Sequence, residues 1–555
     1  MVEKEIIMNI LGKYEEITVI ESNSEMILFM LFGREYCCIY PLKENRTGKV
    51  CFLVKNDKQY DYPHILSFKE YSDKYKYVCL YRNDDMIHFL QTYEEKVIDA
   101  VERLIALLSL SIIEQEREFQ KEFLYYWNNE AKNNHLINIF VKSERVFQKM
   151  NLYSKFVSKD AFMWNVVSDG IKFNSLIKKK TEWKFYPYIG SFYIPIIDNR
   201  RILPPTHDRK WTKSDILKIV YGKEFSRISR ETYTKIETTV IKHIQVLLVF
   251  EMIVDGNSIN FATLITFRNK NKDTLLNKLM NDISNVEIQS SQRLDYYHLC
   301  KQIGNETSLL NKKVLLVGAG SLGSYIGKEL VKSGIKELTV YDSDVLSYEN
   351  VLRHDICCHH FGQAKVNALK LELEYIHPEI SVKAINENID EDKLLKETNE
   401  VDVIIFAVGS SDVQLELNKV LKQLGNPPIT IYAWLEAGGF DSHLLVLDYE
   451  KQGCFQCLFT NDSGALINNK VNKVSDEYLQ SHIISNGCGA TRVPYGNSIL
   501  LRTAGVLLDT MKKVFDGKFE RNTLIDITLQ NVCDRGANFI ERKCQCCGNR
   551  YYEQL

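Results

Sequence analysis

One glycine-rich turn constrains the fold of this chain more than any other feature of its sequence. Gly318, Gly320 and Gly323 form a Gly-x-Gly-x-x-Gly pattern between the strand-like run 314–317 and a helical pattern over about 324–333. Glycines in this position let the backbone approach phosphate oxygens at the amino terminus of a helix. The turn therefore predicts a strand–turn–helix unit that binds a nucleotide.

Alternating strands and helices define the carboxyl-terminal region, residues 301–555. Strand-like runs recur downstream of the glycine turn, separated by helical patterns, at 337–341, 401–407 and 429–433. This alternation predicts an α/β region with a doubly wound parallel sheet.

An acidic residue and two cations downstream of the turn bear on the identity of the nucleotide. Asp342 ends the next strand-like run about 20 residues on, where an acid binds ribose hydroxyls. The glycines and this acid fit NAD, FAD or ATP. Asp344, Asn350, Arg353 and Lys365 follow in that order. Breaking a triphosphate needs cations and an acid that holds Mg²⁺, whereas hydride transfer needs neither, so the set favours ATP.

The same residues resemble a known family. Gly-x-Gly-x-x-Gly, Asp-x-Asp, Asn-x-x-Arg and Gly-Gln-x-Lys occur in that order in the ThiF/MoeB and ubiquitin-activating adenylyltransferases, and Gly362-Gln363-Ala-Lys365 is the last of them here. The resemblance implies a ThiF-type domain that adenylates a carboxyl-terminal carboxylate with ATP and releases pyrophosphate. It implies a nucleotide site made of Gly318, Gly320, Gly323, Asp342, Asp344, Asn350, Arg353 and Lys365.

The chain departs from the family pattern at one place. The family has a magnesium-binding aspartate just after the strand that corresponds to 403–406, where this chain has Gly409, Ser410 and Ser411. The nearest acid is Asp412, and we expect it to hold Mg²⁺ from a shifted position.

Two cysteine pairs have the spacing of a metal site. Cys454 and Cys457 form one Cys-x-x-Cys pair, and Cys544 and Cys547 form a second one about 90 residues later. Four thiolates suit tetrahedral Zn²⁺ and leave no open position, so we expect a structural zinc, although free thiols or a redox pair would share this spacing. Cys546 could replace Cys547 as a ligand. The pairing also resembles the zinc site of the family.

Cys488 is the first candidate nucleophile. It lies in Ser485-Asn-Gly-Cys488-Gly-Ala-Thr, just before a helix predicted to start near Asn497. Flanking glycines leave its sulfur accessible, and a helix amino terminus nearby lowers the pKa of a thiol. A thiolate is what attack on an acyl-adenylate requires. Its place between the cysteine pairs resembles the crossover loop of activating enzymes, and a buried structural cysteine is the alternative.

Cys79 is the second candidate nucleophile. Residues 1–145 resemble the bacterial ubiquitin-conjugating-like fold, in which a His-Pro-Asn element precedes a catalytic cysteine in an Ile-Cys-Leu context, followed by a long helix. Here the corresponding segments are Pro63-His64-Ile65 and Val78-Cys79-Leu80, and helices are predicted over 93–113 and 114–127. The asparagine that stabilises the oxyanion is missing, so another donor must serve. The doublets Cys37-Cys38 and Cys357-Cys358 show no ligand spacing and are predicted to be core thiols.

These features predict three domains. Residues 1–145 form an α+β ubiquitin-conjugating-like domain, 146–300 an α+β connecting domain without assignable chemistry, and 301–555 the adenylation domain. A net charge of −2 excludes a strongly basic nucleic-acid binder. The apolar runs are shorter than the roughly 18 residues of a membrane span, and no secretory signal is visible. We therefore expect a cytoplasmic protein that binds neither membrane nor nucleic acid.

Taken together, the chain resembles the fused conjugating and activating proteins of bacterial CBASS antiphage systems. The resemblance implies that Cys488 captures an adenylated protein terminus as a thioester and that Cys79 passes it to a protein or small-molecule amine. It also implies that the cargo is a cGAS-like nucleotidyltransferase and that the adenylation domain forms a homodimer. Alternatives are a ThiF/MoeB-type activator of a sulfur carrier, an NAD-dependent oxidoreductase and a non-catalytic ATP-binding interaction module.

Overall fold

The computed structural model describes residues 2–39, 50–56, 61–66, 75–81, 91–131, 136–142, 145–158, 161–173, 183–221, 227–304, 307–472, 474–485 and 491–548. They belong to two compact units: Met1–Asp169 with Lys184–Arg293, and Gly170–Trp183 with Leu294–Leu555. Within the described ranges, no helix is both long and apolar enough to cross a bilayer.

The first unit begins with a six-stranded antiparallel sheet. Its strands pair in the order β1-β2-β3-β4-β6-β5, and their bounds are β1 Ile17–Ser22, β2 Met26–Leu31, β3 Arg34–Ile39, β4 Phe52–Lys55, β5 Ile65–Leu66 and β6 Tyr75–Val78. Two helices, α1 (Val2–Leu11) and α2 (Tyr93–Leu108), contribute to the same hydrophobic core as the sheet. The buried face of α2 consists of Val97, Ala100, Val101 and Leu104, at the three-and-four spacing of an amphipathic helix.

The two helices predicted over 93–113 and 114–127 have different bounds in the structure, which corrects that prediction. The chain forms α2, then α3 (Ile112–Lys121) and α4 (Phe123–Glu130). Ser111 starts a new helix because its side chain accepts a hydrogen bond from the Glu114 amide while the Glu114 carboxylate accepts one from the Ser111 amide. This reciprocal pair is a capping box, and it separates α3 from α2.

The second part of the first unit is a closed ring of seven strands. Neighbours pair in the order β8-β11-β13-β14-β16-β7-β9, and β8 also pairs with β9. The ring strands are β7 Leu136–Phe140, β8 Gln148–Ser158, β9 Ala161–Ser168, β11 Ile189–Pro195, β13 Gln245–Val254, β14 Asn257–Phe267 and β16 Ile283–Arg293. The short strand β10 (Lys184–Phe185) extends the pairing of β8, while β12 (Val240–Ile241) and β15 (Asp273–Thr274) pair with each other.

Helices pack against one side of this ring. They are α4, α5 (Lys213–Val220), α6 (Arg230–Thr238) and α7 (Leu275–Asn281). Their apolar side chains share one core with those of the strands, with Trp127 fully buried in it. A separate apolar cluster that includes Leu152, Leu247 and Val249 fills another part of the ring. Strand β7 belongs to the ring although its sequence precedes residue 146.

The second unit contains a mixed sheet of eight strands. Their order is β19-β18-β17-β20-β21-β22-β25-β26. The first five are parallel and the last three antiparallel. The strands are β17 Lys313–Val317, β18 Glu337–Tyr341, β19 Ser381–Ile385, β20 Val403–Phe406, β21 Ile429–Leu435, β22 Asp441–Leu447, β25 Thr523–Thr528 and β26 Val532–Asp534. The predicted alternation of strands and helices is confirmed, but the parallel pairing stops at β21.

Helices cover both faces of this sheet. One hydrophobic core joins it to α8 (Tyr296–Gln302), α9 (Ser321–Ser333), α10 (Lys365–Glu374) and α14 (Asn497–Phe515). A second core, on other side chains of the same strands, contains α11 (Glu391–Thr398) and α12 (Ser411–Gln423). A short helix, α13 (Asp476–His482), and the strand pair β23 (Ile484–Ser485) and β24 (Thr491–Arg492) precede α14.

Candidate nucleotide site and cysteine sites

The glycine turn joins β17 to α9 in a conformation that needs glycine. Gly318 has φ +102°, and a Cβ atom there would lie 2.6 Å from the carbonyl oxygen of Ala407. A Cβ on Gly323, in the first turn of α9, would lie 2.0 Å from the carbonyl oxygen of Gly318. Around Gly320, by contrast, a Cβ would meet none of the described atoms within 4 Å. The first and third glycines are thus required by packing, and the second faces open space.

A cavity of about 360 Å³ lies at this turn. It is bounded by the turn, by the segment that follows β20, by the end of β21 and by side chains from other parts of the second unit. Its lining residues include Gly320, Ser321, Arg353, His354, Lys365, Val408, Ser411, Gln414, Trp434, Phe455 and Tyr495. The structure therefore brings the glycine turn and both predicted cations to one cavity.

Asp342 holds the loops beside the cavity together. Its carboxylate accepts a hydrogen bond from the Ala319 amide at 2.7 Å and one from the Asp344 amide at 2.8 Å. It thereby fixes the glycine turn relative to the loop that follows β18. Its binding to ribose hydroxyls remains a prediction.

The two cations are oriented by neighbouring polar groups. Arg353 donates to the Asn350 side-chain oxygen at 2.7 Å and to the Tyr495 hydroxyl at 3.3 Å. Lys365, whose side chain is 9% exposed, lies 2.7 Å from the carboxylate of Asp344, which is 67% exposed. Among the described residues, one carboxylate pairs with these two cations: the exposed Asp344, which contacts Lys365. Positive charge is therefore left available for an anion.

His354 was not singled out from the sequence, although it lines the cavity. Its Nδ1 lies 2.8 Å from the backbone carbonyl oxygen of Asn350, which makes Nδ1 the protonated nitrogen. Burial, together with the positive charges of Lys365 and Arg353, lowers the pKa of His354 to about 4. The imidazole is therefore neutral near pH 7. His354 directly follows Arg353 in the sequence, and no sequence pattern indicates that it lines the cavity.

Asp412 lies in the first turn of α12 and is exposed. The residues of that helix that line the cavity are Ser411 and Gln414. Gln414 donates to the Val408 carbonyl oxygen at 2.8 Å, so it holds the segment that follows β20. Whether Asp412 holds Mg²⁺ stays a prediction.

An ionic network supports the part of the cavity wall that contains Trp434. Trp434 donates from its indole nitrogen to Glu436 at 3.0 Å. His443, which is fully buried, lies 2.8 Å from Asp526 and 3.4 Å from Glu436. Arg535 pairs with the other oxygen of Asp526 at 2.5 Å. No role for His443 could be inferred from the sequence, because its two acidic partners come together only in the folded sheet.

The pKa values in this network follow from its contacts. Burial by itself would lower the pKa of His443, but the hydrogen bonds and charges of Asp526 and Glu436 raise it above the ordinary value. Burial opposes ionisation of Asp526, yet His443 and Arg535 lower the pKa of its carboxyl to about 2. The two carboxylates therefore favour the protonated form of the His443 imidazole.

The four predicted metal-ligating cysteines lie together. The sulfur atoms of Cys454, Cys457, Cys544 and Cys547 are buried and lie within 4.8 Å of one another. Cys546 is outside this group, and its sulfur accepts a hydrogen bond from Asn418 at 3.4 Å. The geometry therefore groups Cys547, rather than Cys546, with the other three. Four converging thiols fit a tetrahedral zinc ion.

Cys79 lies at the end of β6 in the first unit and is half-buried. Its amide donates to the carbonyl oxygen of His64 at 2.8 Å. His64 has φ +65° and places its ring nitrogens 3.5 Å from Glu118 and 3.3 Å from Glu122. The amide of His64 donates to the Tyr126 hydroxyl at 2.7 Å. The sequence-predicted histidine and cysteine are thus neighbours, and the two glutamates beside them were not foreseen.

Cys488, the other predicted nucleophile, lies outside the described residues. Cys37 and Cys38 are buried, as expected of core thiols. Cys357 and Cys358 are exposed, so the prediction that they are core thiols was wrong. They lie on the segment that leads to α10.

Comparison with known proteins agrees with the geometry of the cavity. Residues 299–525 match the sequence model of the ThiF family. The ATP-dependent ubiquitin transferase-like protein Cap2 of Vibrio cholerae is 29% identical over 238 residues, which are 40% of this chain and 38% of that protein. Cap2 of Pseudomonas aeruginosa is 24% identical over 266 residues, 46% of each chain.

A molybdopterin-synthase adenylyltransferase is also similar. The protein from Haemophilus influenzae is 29% identical over 150 residues, which are 26% of this chain and 62% of that one. The matches to the two Cap2 proteins each span less than half the length of the relative. Together with the glycine turn and the two cations at one cavity, these findings show that residues 299–525 resemble the ThiF family and that the chain is similar to the bacterial Cap2 proteins over part of its length.

Proposed function

We propose that this protein adenylates the carboxyl terminus of a protein with ATP and passes the acyl group through two cysteines to an amine. The observation that carries the proposal is the cavity in the second unit, where Gly320, Arg353 and Lys365 meet. A glycine turn at a helix amino terminus together with two cations suits a polyphosphate. The similarity to the ThiF family favours adenylyl transfer over hydride transfer at such a site.

In the first step a carboxylate oxygen of the substrate attacks the α-phosphorus of ATP. A new oxygen–phosphorus bond forms, the bond between the α-phosphorus and the bridging oxygen breaks, and pyrophosphate leaves. Arg353 and Lys365 stabilise the negative charge that develops on the phosphates. Lys365 exchanges its contact with Asp344 for one with phosphate, which requires no new burial because the lysine is already desolvated.

Mg²⁺ accompanies ATP in this proposal. Carboxylate oxygens are the ligands that Mg²⁺ prefers in proteins, and Asp344 offers an exposed carboxylate next to Lys365. Asp412, exposed in the first turn of α12, is the second candidate ligand. When bound, the ion neutralises phosphate charge.

Two thioesters follow the adenylate. The Cys488 thiolate attacks the acyl carbon and AMP leaves; the Cys79 thiolate then attacks the thioester and the Cys488 thiolate leaves. An amine finally displaces Cys79 and forms an amide. The support for Cys79 is its half-buried position beside His64, together with the similarity of the chain to ubiquitin transferase-like proteins.

The partners of the protein are proposed from its resemblance to CBASS proteins and from its similarity to the Cap2 proteins. We propose a cGAS-like nucleotidyltransferase as the protein that is activated, a protein or small-molecule amine as the acceptor, and a homodimer formed through the adenylation domain. The setting is cytoplasmic. The four-cysteine cluster holds a structural zinc ion in this proposal, because its donor set leaves no position for a substrate.

The proposal is tested by ATP–pyrophosphate exchange and by non-reducing gels with a candidate nucleotidyltransferase and ATP. We expect substrate-dependent exchange and two thiol-sensitive adducts, one lost in Cys488→Ala and the other in Cys79→Ala. Cys533→Ala is the matched control, because Cys533 is an exposed cysteine in another part of the chain.

Other outcomes would point elsewhere. A thiocarboxylate product would indicate a sulfur-carrier activator. Thermal protection by NAD instead of ATP would indicate an oxidoreductase. Unchanged function in cells after both cysteine substitutions would indicate a non-catalytic module.

A further inference from the structure

A second group of metal-binding side chains lies on the loop that joins Arg353 to α10. Cys357 and His359 come from this loop, and Glu372 comes from α10. One ligand atom from each of these three side chains lies within 4.8 Å of the other two. None of the three lines the cavity described above, so the group is distinct from it.

The three donor types fit a transition metal of the zinc class. Zinc binds thiolate, imidazole and carboxylate at about 2.0–2.3 Å in a tetrahedral arrangement, which places donor atoms roughly 3.5 Å apart. Modest rotation of two exposed side chains brings the present spacing to that value. Ca²⁺ and Mg²⁺ prefer sets made only of oxygen, which the sulfur of Cys357 and the nitrogen of His359 exclude.

His360 provides an independent observation at the same place. Its side chain is 3% exposed, yet neither ring nitrogen has a hydrogen-bond partner among the described residues. Its Nε2 lies 3.1 Å from Oε1 of Glu372, without hydrogen-bond alignment. A buried imidazole in that state costs free energy. Carboxylates that bind a metal are commonly hydrogen-bonded by a neighbouring group, and His360 is close enough to Glu372 to serve in this way after a small adjustment.

The nearby cation is already paired with another carboxylate. The charge of Lys328 acts on both Cys357 and Glu372, but its ammonium group pairs with Asp355 at 2.6 Å. The Glu372 oxygen also accepts a hydrogen bond from the Cys357 amide at 3.3 Å. This contact already holds the loop against α10 in the position that shared ligation requires.

We propose that Cys357, His359 and Glu372 bind a divalent transition metal of the zinc class, with His360 orienting Glu372 and one coordination position open to solvent. On binding, sulfur, nitrogen and oxygen each form one bond to the ion, and the Cys357 thiol releases its proton to water. The ion ties the loop to α10 in the segment between Arg353 and Lys365. Because its ligands are more exposed than the four-cysteine cluster, this ion exchanges faster with a chelator.

The test measures zinc per chain by elemental analysis of the full-length protein, prepared with zinc and a phosphine reductant and then freed of unbound metal by gel filtration. We expect the unsubstituted chain to hold one zinc ion more than His359→Ala, and a brief chelator treatment to remove that ion. His359 is exposed, so its loss leaves the core intact. His207→Ala is the matched control, since it removes an exposed histidine from the first unit.

Glu372→Gln tests the site in a second way, because an amide keeps the shape of the side chain but binds zinc weakly. We expect it to lower retained zinc as His359→Ala does, with circular dichroism unchanged. Equal zinc content in the unsubstituted chain and both variants would overturn the proposal. So would loss of the fast-exchanging ion in the His207 control. ATP–pyrophosphate exchange, measured on the same samples, reports on the proposed function separately.

Discussion

His443 is a buried histidine whose charged form is favoured by its surroundings. It lies between Asp526 and Glu436, and Arg535 pairs with the second oxygen of Asp526. Because Trp434 donates to Glu436, the network also fixes the aromatic wall of the cavity. A residue without a place in the proposed chemistry thus helps to shape the site.

The sign of the pH dependence follows from the raised pKa of His443. Its charged form stabilises the fold fully below the unfolded-state pKa of about 6.5, and this contribution is lost as the pH rises through the folded-state pKa. We expect Asp526→Asn to lower the free energy of unfolding by about 3–5 kcal/mol at neutral pH. The variant should also lose stability less steeply as the pH rises above about 6.5.

Chemical denaturation at several pH values measures both effects. Asp509→Asn, an exposed aspartate on α14, is the control. Equal stability of the two variants at neutral pH would contradict the role of the network.

The cations of the cavity give a prediction for catalysis. If Arg353 and Lys365 stabilise transition-state charge, Lys365→Ala lowers the rate of pyrophosphate exchange by about 10²–10³-fold. Lys419→Ala, which removes an exposed lysine from α12, should leave the rate unchanged. A normal rate in Lys365→Ala would place the phosphates elsewhere.

At the scale of elements, the turn between β17 and α9 combines a structural and a binding requirement. Position 318 requires glycine because a Cβ atom there would collide with the backbone of Ala407, whereas Gly320 faces the cavity. The same short motif therefore contains positions whose substitution should have different consequences.

Alanine at each glycine separates these requirements. Gly318→Ala forces a Cβ into the Ala407 carbonyl at positive φ, so we expect loss of roughly 1–3 kcal/mol or more of stability. Gly320→Ala has φ −73° and free space, so its melting temperature should be near normal while thermal protection by ATP is lost. Protection of Gly320→Ala equal to that of the unsubstituted chain would show that the nucleotide does not approach this turn.

Local sequence patterns predicted the strands β17, β18, β20 and β21, the helix α9 and the start of α14, because each of these elements is determined by neighbours in the chain. The boundary between the first two helices was predicted at 113/114, close to the capping box of Ser111 and Glu114. The further break at Glu122, between α3 and α4, was missed. The antiparallel pairing of β22 was also missed, because a short turn at Ala437–Gly439 replaces the crossover helix that parallel pairing needs.

Contacts between distant segments could be predicted only where the spacing of the residues indicates a shared ligand, as in the four-cysteine cluster. Asp526 follows His443 by 83 residues, and periodicity holds no information about such a pair. Spacing alone also left Cys546 and Cys547 equivalent. The fold distinguishes them because Asn418, buried on α12, binds the sulfur of Cys546. The nucleotide-site residues were easier to predict because they lie within one run of the sequence.

At the scale of the whole molecule, the four-cysteine cluster joins segments that are 90 residues apart. Phe455 lies between two of its cysteines and lines the cavity. Its amide donates to the Asn418 side chain at 3.0 Å. The cluster thus connects the end of the described chain to the wall of the proposed active site.

Two adjacent cysteines make a matched pair for testing this connection. Cys547→Ser should lose the slowly exchanging zinc ion, lower the melting temperature and weaken ATP binding, because the wall that contains Phe455 is no longer held. Cys546→Ser should keep that ion. The reverse result, zinc lost only in Cys546→Ser, would assign the fourth ligand to Cys546. Zinc analysis and ATP-dependent thermal shifts measure the difference.

The ring of strands in the first unit has a consequence for association. Each of its seven members has a hydrogen-bonded neighbour on both sides, so these strands offer little free backbone edge to an incoming peptide. A protein that recognises this part of the chain must therefore read its side chains and loops. For the same reason, this region resists the edge-to-edge stacking through which open sheets polymerise.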